Sequence, residues 1–175
     1  MTKEMVLGKT LITQDELQKR VLELGAQISD DYAGKDLTLI AILKGSFIFA
    51  ADLLRSVTAT IDFMSISSYA TQPESGVVRI TKDLEESITN RHVLLVEDII
   101  DTGLTANYLL RVLRQRQPAS IEICALLNKS ARRLIDLPIA YSGFDIADIF
   151  VVGYGMDYQQ RYRNLPYLAE LIHKT

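Results

Sequence analysis

A chain of 175 residues is the length of one domain, and a domain of this size buries roughly 70% of its unfolded surface, enough for a core without external support. A composition 48% hydrophobic and 23% charged, with nine Gly and four Pro, excludes a disordered, collagen-like or mucin-like chain. The 19 basic and 22 acidic residues leave a net charge of −3, which argues against broad binding to nucleic acid or a membrane surface, so an anionic ligand needs a local site.

Cys124 is the only cysteine, with no partner for an intramolecular disulfide or a thiolate zinc site, so its expected role is core packing in a reducing compartment. The opening MTKEMVLGKT reaches no sustained apolar run and reads as no signal peptide. No apolar stretch approaches the about 20 residues of a membrane helix. The expected setting is the cytoplasm, with neither a membrane nor a nucleic-acid partner.

No repeat, low-complexity tract or linker divides the chain, and residues 1–175 read as one domain. Thr13 and Glu16 fit a capping box, Ile12 and Leu17 stand at the staple positions, and Leu17, Val21, Leu24 and Ile28 share one face of a helix ending near Gly34. Leu37 to Leu43 is apolar almost throughout, as in a strand buried on both faces of a parallel sheet. Lys44-Gly45-Ser46 breaks it, and a helix follows from about Phe47 to Arg55. Ala59 to Ile66 alternates as a strand. Ser67 to Gly76 loses all periodicity and reads as a mobile loop, before a strand from Val77 to Thr81. His92 to Val96 is a further strand, ending at Glu97-Asp98, and a helix begins near Leu104 with Ala106, Leu109, Leu110 and Val112/Leu113 inward. Ala119 to Leu127, Ile139 to Phe144 and Phe150 to Val152 supply more strands, and Tyr167 to Ile172 forms a terminal apolar segment. Strands alternating with helices give an α/β class, with an irregular C-terminal third.

The informative stretch is VLLVEDIIDTGLTA, Val93 to Ala106. Open α/β sheets bind ligands beyond the carboxyl ends of their strands. There Thr102, Gly103, Leu104 and Thr105 would offer backbone N–H groups and two hydroxyls at a helix N-terminus, a cradle for phosphate. The run is neither a Walker A loop nor a G-x-G-x-x-G turn. Adjacent Glu97 and Asp98 point to opposite sides of an extended strand, yet at a strand end both could reach ribose hydroxyls or a magnesium ion. In the plain reading they are solvated charges and Asp101 is the helix N-cap. Asp101-Thr102-Gly103 also matches the D-T-G of aspartic proteases, but those sites sit in all-β frameworks and here a helix follows at once.

Val93 to Ala106 resembles the phosphoribosyl-pyrophosphate motif of type I phosphoribosyltransferases: an acid pair, two apolar residues, Asp-Thr-Gly and a following Thr. Leu43 to Ser46, Ser68-Tyr69, and Phe150 to Tyr158 with Arg163 beyond are similar to the hypoxanthine-guanine members of that family, in the same order. The resemblance implies a mostly parallel sheet flanked by helices, with a small hood from the chain ends. It also implies transfer of the 5-phosphoribosyl group from phosphoribosyl pyrophosphate to a 6-oxopurine, with Mg2+ required and an oxocarbenium-like transition state.

Carried over residue by residue, Glu97 and Asp98 hold the ribose hydroxyls and a magnesium ion, and Asp101, Thr102, Gly103, Leu104 and Thr105 wrap the 5′-phosphate. Asp101 is also the general base at purine N7. Lys129 donates to the 6-oxo group, Phe150 stacks on the purine, and Val151 offers backbone groups; Asp157 lies near the guanine amino group and a second magnesium. For Phe150 the plain alternative is a core residue of a buried strand. Lys44, Gly45 and Arg163 take pyrophosphate, and the peptide before Lys44 is cis in some members. Ser68 and Tyr69 belong to a lid over about 67–76. Leu104 stands where some members carry lysine, and Ser46 where some carry glycine.

The resemblance further implies a homodimer or homotetramer. One alternative is a regulatory nucleic-acid-binding protein of the same fold, with Arg111, Arg114, Arg116, Arg132 and Arg133 as a basic patch. Asp101, Lys129 and Arg163 together favour catalysis. Another is a transferase for xanthine or uracil; Lys129 and Phe150 support a 6-oxopurine without separating hypoxanthine, guanine and xanthine.

Overall fold

The structure, a computed structural model, describes residues 5–68 and 78–174. Two central strands, β2 (Leu37–Leu43) and β5 (His92–Ile100), explain why the sequence is so uniformly apolar there, because each is covered on both faces. In β2, Leu39 and Ala41 face one core cluster and Ile40 and Ile42 the other; in β5, Leu94 and Val96 face the first and Val93 and Leu95 the second. Period-2 alternation thus divides one sheet between two cores. Helix α1 (Gln14–Asp31) and helix α2 (Phe47–Leu54) cover the first face with Leu17, Leu24, Phe49 and Leu53, while α3 (Leu104–Arg114) covers the second with Leu109, Leu110 and Leu113.

The main sheet adds β3 (Thr60–Ser68), β4 (Val78–Lys82), β6 (Ser120–Asn128) and β7 (Tyr141–Asp145), in the order β4-β3-β2-β5-β6-β7. All neighbours are parallel except β3 and β4. The chain runs outward from β2 to β3 on one side and from β5 to β6 and β7 on the other. The order therefore reverses between β2 and β5, which opens a crevice at their carboxyl ends. A second, antiparallel sheet has the order β1-β9-β8, from β1 (Met5–Ile12), β8 (Val151–Val152) and β9 (Leu168–His173).

The capping box forms as expected: Thr13 N–H donates to Glu16 Oε2 at 2.7 Å and Glu16 N–H to Thr13 Oγ1 at 3.3 Å. Cys124 is fully buried in the first core, which pushes its thiol up to about 12. No described helix is long and apolar enough to cross a membrane.

Several elements depart from the sequence reading. Strand β1 has no alternation to announce it; it forms because β9 from the other chain end pairs with it, through two register irregularities. Strand β5 runs four residues past Val96, since Glu97, Ile99 and Ile100 pair with Ala125, Leu127 and Asn128, so the acid pair lies within the ladder. Strand β3 reaches Ser68, so Ser67 and Ser68 pair with Arg79 and Val78 instead of opening the loop. Strand β7 starts at Tyr141 rather than Ile139.

Candidate active site

Two cavities open at the carboxyl ends of the parallel strands, sharing Ile99 and Asp101. The larger, about 420 Å³, brings together Lys44 and Gly45 after β2, Asp98 and Asp101 from β5 and its turn, Lys129 after β6, and Phe150, Val151, Asp157 and Arg163 around β8. Arg132 and Met156 complete much of its wall. The smaller, about 160 Å³, is lined by Glu97, Asp101, Thr102, Gly103 and Thr105. Strand alternation therefore separates the adjacent acids, Glu97 beside the turn and Asp98 in the main cavity.

Asp98 lies against Gly45, where a Cβ would run into its carboxylate; only glycine lets the β2 loop and the β5 carboxylate come this close. The Leu43–Lys44 peptide is cis. Ser46, fully buried, donates its hydroxyl to Ile42 O at 2.6 Å and closes the turn into α2. Burial, with repulsion from Asp98, raises the Glu97 carboxyl well above the usual range. Burial also pushes Asp98 up to about 6, with Asp157 adding, while the N–H groups of Ile99 and Asp98 and the Arg163 charge oppose it.

A buried and a half-buried carboxyl without full counter-charge suit a hard cation that takes oxygen ligands. Among the described residues, no three His, Cys, Asp or Glu side chains converge on one point. Glu97, Asp98 and Asp157 therefore do not make a single protein cage, and an ion here would draw other ligands from substrate and water, as magnesium commonly does.

The phosphate turn differs from expectation in one respect. The N-cap of α3 is Gly103, at φ 85°, not Asp101, and as a glycine it has no side chain to cap the helix. The left-handed glycine turns the chain two residues later than an aspartate cap would, which leaves Asp101 uncommitted to the helix. Asp101 Oδ1 is buried without a hydrogen bond; Arg132 Nε lies 3.1 Å away, an ion pair out of line for donation. Leu134 N–H donates to Thr102 O at 3.0 Å and steadies the turn. The Leu104 side chain is exposed, and its N–H donates to Thr102 Oγ1 at 3.4 Å.

Lys129 is anchored by its N–H to Ile100 O at 2.9 Å, and its side chain is only 9% exposed, with Nζ 3.7 Å from Asp148. Phe150 is not core: it is 49% exposed at the cavity wall, edge-on to Tyr158 at 5.8 Å, while Val151 beside it is buried. Arg163 donates to Gly155 O at 2.7 Å and pairs with Asp157 at 2.8 Å. Ser68 ends β3, but its side chain and Tyr69, with most of the expected lid, lie outside the described residues.

The sequence reading passed over Asp148, and it placed Arg132 only in a basic patch. Three of the five arginines of that patch have partners: Arg116 pairs with Asp83 at 2.8 Å, Arg132 with Asp101 and Asp148, and Arg133 with Asn128, while Arg111 and Arg114 on α3 are exposed.

A phosphoribosyl transferase domain model matches residues 11–159. The chain is 45% identical over 170 residues to the hypoxanthine-guanine phosphoribosyltransferase of Dictyostelium discoideum, covering 93% of this chain and 94% of that one. It is 46% identical over 169 residues to the hypoxanthine phosphoribosyltransferase of Escherichia coli K12, covering 94% and 95%. The chain belongs to the phosphoribosyltransferase family. A crystal structure of a hypoxanthine-guanine phosphoribosyltransferase from Bacillus anthracis superposes with a TM-score of 0.91 at 44% identity, over 97% of this chain and 99% of that one. The fold is accordingly the type I phosphoribosyltransferase fold, and the crevice between β2 and β5 is where such an enzyme would work.

Proposed function

We propose that this phosphoribosyltransferase serves purine salvage, moving the 5-phosphoribosyl group from phosphoribosyl pyrophosphate to N9 of hypoxanthine or guanine. The observation that carries the reading is the sharing of one cavity by Asp101, Lys129 and Phe150: a proton acceptor, a buried donor and an aromatic wall. An ammonium has three donors and no acceptor, so Lys129 suits the 6-oxo group and discriminates against a 6-amino group. Phe150 presents a ring for stacking, and Val151 backbone groups hold the base edge. As N9 bonds to C1 of the ribose and the C1–pyrophosphate bond breaks, Asp101 accepts the N7 proton; its carboxylate, partly exposed, lines the same cavity as Lys129 and Phe150.

Thr102, Gly103, Leu104 and Thr105 take the 5′-phosphate, Leu104 through its backbone alone, and Lys44, Gly45 and Arg163 take pyrophosphate. The planar Arg163 fork suits phosphate oxygens once it exchanges its internal partners for them. Glu97 and Asp98 would hold one Mg2+ and Asp157 would lie near a second, which would supply charge neutralisation for pyrophosphate departure. Ser68 and Tyr69 belong to the lid that excludes water. Residues 1–175 act as one domain, with β1, β8 and β9 as the hood. The enzyme works in the cytoplasm as a homodimer or homotetramer.

Product formation from phosphoribosyl pyrophosphate and Mg2+ with hypoxanthine, guanine, xanthine, adenine and uracil, each tested alone, checks this reading. Inosine or guanosine monophosphate is the expected product. Nucleotide only from adenine or uracil, or none from folded protein, would overturn it.

A further inference from the structure

Four charged side chains on the cavity rim alternate in sign across three chain segments. Asp101 in the turn after β5 pairs with Arg132 Nε at 3.1 Å, Arg132 Nη1 lies 3.3 Å from Asp148 Oδ1, and Asp148 Oδ1 lies 3.7 Å from Lys129 Nζ. The fold does not need this guanidinium. The short 3₁₀ turn Ser130–Arg132 is held by its backbone, through Lys129 N–H to Ile100 O, Arg132 N–H to Lys129 O and Leu134 N–H to Thr102 O. The side chains of Arg132, Asp101 and Asp148 are 47%, 39% and 55% exposed, and ion pairs this open to solvent contribute little to stability. Yet the end members are the two groups the transfer needs at neighbouring atoms on one edge of the base, the N7 proton acceptor and the 6-oxo donor.

We propose that Arg132 is a positioning residue for the transfer reaction: bridging Asp101 and Asp148, it fixes the proton acceptor at the spacing from Lys129 that a bound purine requires. This rests on the salvage reading above. The contact at Asp101 is suited to that role. Arg132 Nε holds the buried Oδ1 electrostatically, which leaves the other oxygen of this partly exposed carboxylate to the purine. Asp148 likewise holds both Arg132 and Lys129, and a planar, five-donor guanidinium can span two carboxylates where a lysine, a point charge, serves one.

The test is a double-mutant cycle on steady-state kinetics with hypoxanthine. R132Q is expected to lower kcat about tenfold through misplacement of the acceptor, leaving KM for phosphoribosyl pyrophosphate within about twofold. On a D101N background the same change should cost less than about twofold, because Arg132 acts through Asp101. R132K should recover only part of kcat. Unchanged or raised kcat in R132Q, an equal loss on both backgrounds, or a loss confined to KM for phosphoribosyl pyrophosphate would overturn the proposal, the last making Arg132 a direct ligand of substrate. Wild-type protein without activity in the same assay would sink the salvage reading instead.

Discussion

Lys129 carries a positive charge into a nearly closed position, and that makes its contribution separable from the rest of the site. A hydrogen bond from a charged donor is worth about 1.5–3 kcal/mol, so K129A should raise KM for hypoxanthine about tenfold or more while KM for phosphoribosyl pyrophosphate stays near wild type. Equal weakening of both substrates would remove Lys129 as the reader of the base. Asp98 makes a prediction of a different kind. Its folded carboxyl is pushed up to about 6, chiefly by burial, whereas an unfolded aspartate titrates at about 3.9. Between these values the unfolded chain has lost its proton and the folded chain retains it, so stability from this residue falls as pH rises through the window and levels off above it. D98N carries no charge to bury. The ligand-free variant should melt above wild type at pH 8, by about 2–4 °C for each roughly 1 kcal/mol relieved, with the gap shrinking toward pH 5. A variant that melts below wild type at pH 8 would show that Asp98 is a net stabiliser, contrary to its burial. The same substitution should weaken Mg2+-dependent binding, the usual exchange of stability for function.

At the scale of elements, the site depends on how closely the loop after β2 approaches the end of β5. Gly45 permits that approach, and Gly155 sits against it in turn, since a Cβ there would meet the Gly45 carbonyl. G45A must displace either the Asp98 carboxylate or the loop. Turnover should fall on the order of a hundredfold, a loss typical of a displacement of about 1 Å in an active site, while far-UV circular dichroism stays native. Full activity in G45A would show that the approach is incidental. Contiguity explains what could be read from sequence. The strand, turn and helix from Val93 onward lie in one stretch, so periodicity and a motif exposed them together, and the Thr13 box announces α1 from four residues. Features made by distant partners stayed hidden. Strand β1 needs β9, the extension of β5 needs β6, and the Asp101–Arg132–Asp148 contacts need three segments to meet. Asp101 was misplaced as a cap because residue type favours aspartate there, whereas the left-handed φ of Gly103 moves the helix start two residues on.

For the molecule as a whole, the candidate site joins two sheets that otherwise have separate ladders. Lys44, Asp98 and Asp101 come from the main sheet and its turns, while Asp157 and Arg163 belong to the irregular chain between β8 and β9 of the second sheet. A ligand held by both must bind the folded chain and not the unfolded one, so it stabilises by mass action. At a concentration of 100 times its dissociation constant the gain is about 2.7 kcal/mol, which for a chain of this size raises Tm by about 5–10 °C. The shift should need both phosphoribosyl pyrophosphate and Mg2+, because the carboxyl of Asp98, in one cavity with Lys44, Gly45 and Arg163, repels the phosphates until a cation lies between them. Scanning fluorimetry with each component alone and then together reads this directly. An equal shift from phosphoribosyl pyrophosphate without Mg2+ would remove the cation from the site's architecture. No shift from the pair would mean that the two sheets do not close on a common ligand.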